Sequence, residues 1–265
     1  ADPWCDGQSA QPADLNTFQR FTSQYVREYS NPDRSAPPVS AAQFLAFMTA
    51  HGLSARTVAQ TLRQLLSERL KDKALSWQRP TILDRLSIDL FKHLHRRHRP
   101  DFATFFSNST AHLQHSYWRQ MDPAAFKVKP NAQQVDRYGG AIKYGYIMMD
   151  RLIREATSLA GPRDLVIFAT ALSQQPFLRR EETGGQLFYR PRKVERLLEH
   201  VGVTDAVIEP VMTHQFRLRF RDGASVERAA DKLTALRADG LQVMGISDRT
   251  EDGFVFGCSI ARQIG

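Results

Sequence analysis

The chain has 265 residues, 42% of them hydrophobic, enough to bury a sizeable core and to exclude global disorder. Thirteen Pro and fifteen Gly are ordinary usage and exclude fibrous and low-complexity classes. Lys+Arg 36 against Asp+Glu 28 gives +8 and a sequence pI ≈ 9.7, a balance that favours an anionic partner without saying which kind.

Residues 1–40 hold turn chemistry, at Asn31-Pro32-Asp33 and Ala36-Pro37-Pro38, and a short helix with Phe18, Phe21 and Tyr25 at helical spacing. Ser40 is placed to cap a helix ending near Gly52, and Ser54 to cap the next. That second helix carries Val58, Leu62, Leu65, Leu66 and Leu70 on one side, the pattern of a core-facing stripe. A third is expected from Pro80 to His98, with Ile82, Leu86, Leu90 and Leu94.

The charge is concentrated here. Residues 56–129 hold fourteen basic and six acidic side chains, a net equal to the whole excess of the chain. The densest point runs from Lys92 to Arg99. It reads either as a phosphate or nucleic-acid contact or as a last helical turn opposing the macrodipole. No aromatic residue is interleaved for base stacking, which favours the helical turn. His93 and His95 would point to different faces, so only His95 and His98 could share an ion.

After Pro100 the pattern changes. Phe102-Ala103-Thr104-Phe105-Phe106 and Asp164-Leu165-Val166-Ile167-Phe168-Ala169-Thr170 both read as buried strands. Between them a long helix is expected over about Val135–Leu159, with Tyr138, Ile142, Tyr146, Met149 and Ile153 on one face. Another, about Pro191–Val201, starts on a proline and stops at Gly202. Phe216, Leu218 and Phe220 then alternate with Arg217, Arg219 and Arg221, a strand whose arginines form a solvated face or a substrate groove. A helix at about 225–238 and a hairpin of Leu241–Ile246 with Phe254–Ile260 complete a small module. The expected organisation is a helical region 1–99, an α/β core region 100–212 and a strand-helix-strand-strand module 213–265.

No apolar run reaches the roughly 18 residues of a membrane span, so no membrane partner is expected. Ala1-Asp2-Pro3-Trp4-Cys5 shows no basic n-region or apolar h-region, and Cys5 and Cys258 make no disulfide framework. A reducing, cytoplasmic setting is the simpler reading.

Ligands of open α/β sheets bind beyond the carboxyl ends of the strands. That rule selects Ser107–Arg119 and Thr170–Pro176, both rich in hydroxyl and amide side chains that suit an anion. Ser109, Thr110, Ser173, Gln174 and Gln175 are the candidate substrate-binding residues. His112 and His115, three apart, could share a metal if other ligands join them, or could be structural histidines. Gly-x-Gly-x-x-Gly, Walker, Gly-x-Ser-x-Gly and Cys-x-x-Cys motifs are absent, and Gly139-Gly140 and Gly184-Gly185 are too short to cradle a phosphate.

Three segments together resemble the alkaline phosphatase superfamily, in its type I phosphodiesterase/nucleotide pyrophosphatase branch. They are Ala111-His112-Leu113-Gln114-His115-Ser116-Tyr117-Trp118, then Tyr146 with Met149-Asp150-Arg151-Leu152-Ile153, then Thr170-Ala171-Leu172-Ser173. The resemblance covers roughly residues 100–176. It implies an α/β fold with an alkaline-phosphatase-like sheet flanked by helices. It also implies two metal ions, commonly zinc or another divalent metal, held by Asp and His, and a Thr or Ser nucleophile near the start of the domain.

This chain departs from that pattern. Ala111 stands where the resemblance implies the first Asp, Ala171 and Leu172 where it implies an Asp-His pair, and only His115 keeps a ligand type. The opening strand with its nucleophile has no counterpart, and His214 is the nearest match to the last histidine. Methyl and isobutyl groups cannot coordinate zinc. The expected function is thus a phosphodiesterase-like protein with a degenerate metal site, non-catalytic or binding an anionic small molecule. An active phospho- or sulfo-ester hydrolase with its nucleophile on an upstream segment is one alternative. A basic nucleic-acid module on residues 56–129 is another. Two buried strands are few for a doubly covered sheet, so an N-terminal segment or second subunit is expected to complete it.

Overall fold

The computed structural model describes residues 10–22, 39–170, 173–179, 181–183, 189–211 and 214–260. It divides into two units, one of residues 41–182 and one of residues 183–265 with 1–40. The boundaries expected at 99 and 212 do not coincide with this division. Helices on both sides of residue 99 pack within the first unit. Phe18 and Phe21 lie on a helical stretch, 16–22, while Tyr25 and the turns at 31–33 and 36–38 lie outside the described residues.

The 41–182 unit is helical: α1 (Ala41–Ala50), α2 (Ala55–Leu70), α3 (Pro80–His98), α4 (Ser109–Met121), α5 (Ala132–Tyr138) and α6 (Ala141–Thr157). Ser54 caps α2 as expected, its hydroxyl accepting from Thr57 N–H at 3.1 Å. The Ser54 N–H donates to the buried Asp89 carboxylate at 2.8 Å and so ties the start of α2 to α3. Helix α3 spans the expected residues, starting on Pro80 and ending where Arg99 turns left-handed at φ 45°.

The orientation of α2 is the reverse of the expected one. Val58, Leu62, Leu65, Leu66 and Leu70 are exposed, whereas Thr57, Gln64 and Glu68 are buried. The cause is polar. Glu68 accepts from Arg79 Nε at 2.8 Å and from Gln64 Nε2 at 3.3 Å, and Gln64 Oε1 accepts from Arg85 of α3 at 2.7 Å. Burying those groups requires satisfying them. Their partners stand on one side only, so the polar face turns inward and the leucines outward.

The helix expected over Val135–Leu159 is two helices, broken at Gly139-Gly140. A Cβ on Gly139 would meet the Val135 and Gln120 carbonyl oxygens at 2.6 and 3.2 Å. The buried stripe of α6 is Ala141, Ile142, Gly145, Met148 and Leu152, so of the residues placed on one face by spacing Ile142 is buried and Tyr146 stands outward. Close approach decides this. At Gly145 the helix meets α4, where a Cβ would lie 2.9 Å from Leu113 Cδ1, and Thr110 Oγ1 donates to Gly145 O at 3.2 Å.

Neither strand expected in this unit is formed. Residues 102–106 and 164–170 carry no regular secondary structure, and most of their apolar side chains are exposed. A strand exists only within a hydrogen-bonded ladder. The unit contains no strand among its described residues that could supply one. The alkaline-phosphatase-like sheet is therefore not formed by the described residues.

The second unit holds α7 (Val194–His200), β1 (Val207–Pro210), β2 (Phe216–Arg219), α8 (Gly223–Thr234), β3 (Arg237–Ala238), β4 (Leu241–Gln242), β5 (Met244–Thr250) and β6 (Gly253–Cys258). A four-stranded antiparallel sheet in the order β1-β2-β6-β5 is covered by α8. The alternation at 216–220 is obeyed, with Phe216, Leu218 and Phe220 in the core. On the wet face Arg219 pairs with Asp252 at 2.9 Å and Glu209 at 3.7 Å, as a solvated face requires. The chain is thus mixed α and β, and no described helix is long and apolar enough to cross a membrane.

Candidate functional site

Helix α4 carries most of the candidate residues, and α3 anchors its start. The hydroxyls of Ser107 and Ser109 both donate to the buried Asp84 carboxyl, Ser107 at 2.7 Å. Burial raises the Asp84 pKa above the ordinary aspartate range, while the two hydroxyls and Arg85 pull it back. Ser109 and Thr110 are buried, with hydroxyls engaged by Asp84 and by the Gly145 carbonyl. As ligand contacts they are displaced: they hold α4 in place and face inward.

His112 and His115 stand one turn apart on the exposed side of α4. Desolvation of the His112 ring, with repulsion from His115, holds its pKa below the ordinary imidazole range. His112 is therefore a neutral donor and acceptor near pH 7. Gln174, from the second selected stretch, meets this surface: its Nε2 lies 3.3 Å from Ala111 O and 3.3 Å from His115 Nε2. Ser173 is exposed beside it. Gln175 lines an open cleft of about 640 Å³ with Ala125, Pro176, Phe177, Leu178 and Arg179.

Sequence reasoning missed the residue that fixes the far end of this loop. Glu181 accepts from Lys127 N–H at 3.0 Å and Val128 N–H at 3.1 Å, and faces Arg119 of α4 at 3.6 Å. Arg119 in turn lies over the Phe126 ring, 4.8 Å from its centroid. Those hydrogen bonds, Lys127 first, hold the Glu181 pKa below the ordinary glutamate range. A glutamate within the run Arg179-Arg180-Glu181-Glu182 gives no sequence signal of such a clamp.

The basic run 92–99 forms the last turns of α3. Lys92 pairs with Glu155 at 2.8 Å. His95, Arg96, Arg99, Pro100 and Asp164 line a second open cleft of about 420 Å³. His214 belongs to the other unit, where burial and Arg190 lower its pKa, while Met212 and Thr213 lie outside the described residues. Gly184 and Gly185 lie outside them too.

The donor set does not fit the implied bimetallic centre. Two imidazoles on one helical turn offer fewer protein ligands than a zinc site uses. No group of three or more His, Cys, Asp or Glu able to hold a metal occurs among the described residues. Ala171 and Leu172 lie outside those residues, and neither side chain carries a donor atom. What the surface offers is imidazole, carboxamide and hydroxyl groups, with Arg179 at the neighbouring cleft.

No family model, curated protein or solved structure matches the chain.

Proposed function

We propose that this chain is a non-catalytic, anion-binding member of the alkaline phosphatase superfamily whose bimetallic site is degenerate. The observation that carries the reading is the hydrogen bonding of Gln174 to Ala111 and His115. Two stretches 63 positions apart, chosen from sequence as one site, lie against each other. They meet at the place where the resemblance would put metal ligands.

The ligand is a small phosphate ester, held by imidazole, carboxamide and hydroxyl donors. Imidazole N–H groups of His112 and His115, the Gln175 amide and the Ser173 hydroxyl can each donate to a phosphoryl oxygen, while the Gln174 amide, engaged by Ala111 O and His115, holds the two stretches together. Arg179 supplies positive charge at the cleft beside Gln175. A metal pair would neutralise phosphate oxygens and lower the pKa of a nucleophile. These residues do neither, so the ester is bound and left intact.

The test pairs calorimetric binding of a nitrophenyl phosphodiester with its turnover and with elemental analysis. Expected are saturable binding, at least tenfold weaker in His115→Ala, no turnover, and no stoichiometric zinc or manganese. Bound metal with turnover would instead establish an active hydrolase. Unchanged affinity in His115→Ala would move the site elsewhere.

A further inference from the structure

The stretch that carries Gln174 is fixed at two points and apolar between them. Gln174 Nε2 reaches Ala111 O and His115 at one end, and Glu181 accepts from the Lys127 and Val128 amides at the other. Between these anchors Phe177 and Leu178 are 58% and 51% exposed. Exposed apolar side chains gathered along a concave surface mark a ligand groove. Here polar anchors on both sides hold them at the surface.

Both side chains, with Pro176 and Ala125, line the cleft of about 640 Å³ beside the anion surface, a size usual for small-molecule sites. The part of the wall given by Ala125 is fixed as well. Ala125 ends the short helical turn Pro123–Ala125 after α4, and the next residue, Phe126, is buried with the Arg119 guanidinium over its ring. The polar groups along the cleft are the Gln175 amide and the Arg179 guanidinium, and no acidic side chain stands among the described residues that line it. Gln175 is two residues from Ser173, so their Cα atoms are at most about 7 Å apart. A phosphoryl group held at His115 and Ser173 therefore has the cleft within reach of its ester oxygen.

We propose that this cleft holds the alcohol part of the bound ester, and that this part is apolar and uncharged. The inference rests on the anion site described above and specifies its ligand, a phosphate ester of a hydrophobic alcohol. Pro176, Phe177 and Leu178 take hydrocarbon out of water. Arg179 pairs with the phosphate and repels a cationic head group, which would find no carboxylate along the cleft. Phe177 and Leu178 thus set which ester is preferred, whereas His115 serves every phosphate ester alike.

Calorimetric titration of the 265-residue chain with methyl phosphate, phenyl phosphate and phosphocholine tests the proposal. Phenyl phosphate should bind at least tenfold more tightly than methyl phosphate, a gain that needs only roughly 55 Å² of apolar surface removed from water. Phosphocholine should bind no more tightly than methyl phosphate. Phe177→Ala and Leu178→Ala should each cut the preference for phenyl phosphate at least threefold, and the double variant should abolish it. His115→Ala should weaken methyl and phenyl phosphate by the same factor. Equal affinity for methyl and phenyl phosphate would overturn this inference and leave the anion site standing. So would phosphocholine bound as tightly as phenyl phosphate, or a preference that survives in the double variant. Binding of neither methyl nor phenyl phosphate would overturn the anion site itself, and this inference with it.

Discussion

Replacing Glu68 with Ala tests the inverted orientation of α2 directly. The Glu68 carboxylate is buried and accepts from Arg79 Nε at 2.8 Å and Gln64 Nε2 at 3.3 Å. Breaking a fully buried ion pair costs about 3–5 kcal/mol, and losing a hydrogen bond to a charged group about 1.5–3 kcal/mol. Arg79 is 53% exposed and can return its guanidinium to water, which selects the lower range, about 1.5–3 kcal/mol. For a unit of this size the melting temperature should fall by roughly 4–10 °C in thermal denaturation followed by far-ultraviolet circular dichroism. Leu66→Gln is the counterpart. Leu66 is 54% exposed and Leu and Gln have similar helix propensities, so its cost should stay within about 0.5 kcal/mol. A large loss in Leu66→Gln with a neutral Glu68→Ala would refute the reasoning, since it would place the leucines in the core.

Other consequences follow from single groups. The raised pKa of Asp84 means the folded protein keeps this proton where the unfolded chain has lost it, so stability falls as pH rises through that window above the ordinary aspartate range. In Asp84→Asn this part of the slope, at most about 1.4 kcal/mol per pH unit, should vanish from urea unfolding curves measured across mildly acidic pH. Glu181 behaves in the opposite sense: its lowered pKa makes its contribution present above the ordinary glutamate range and lost as pH falls through the folded value. Glu181→Gln should accordingly speed hydrogen exchange at the Lys127 and Val128 amides near neutral pH, and unchanged exchange would contradict the clamp. Gly145→Val should destabilise the 41–182 unit by about 1–3 kcal/mol, because even a Cβ there meets Leu113 at 2.9 Å. A neutral result in chemical denaturation would show that the α4 and α6 contact is looser than described.

Legibility differed between the two units for a physical reason. Strand β2 of the C-terminal sheet was readable because it has one dry and one wet face, so the alternation of Phe216, Leu218 and Phe220 with arginines states both the period and the side. Helix α2 has an equally clear period, but a period names two faces and not which one turns inward. The partners of Gln64 and Glu68 are on Arg85 and Arg79, and local sequence carries no mark of that pairing. The break at Gly139-Gly140 and the close approach at Gly145 depend on what lies opposite each glycine. Segments 102–106 and 164–170 are apolar enough to be strands, yet a ladder needs a partner that neither segment contains. The two stretches selected for the ends of strands do lie together, with Gln174 beside His115, although neither follows a strand among the described residues. The rule that selected them could not separate those exposed groups from Ser109 and Thr110, whose hydroxyls face Asp84 and Gly145.

The central claim is a metal-independent anion site built from His112, His115 and Gln174. Nuclear magnetic resonance of the labelled imidazole and carboxamide nitrogens during titration with methyl phosphate tests it directly, with chelator present throughout. Saturable shifts at His115 and at the Gln174 side chain, unaffected by the chelator, are the predicted result. Silence at both residues, or shifts that emerge only when zinc is restored, would contradict it.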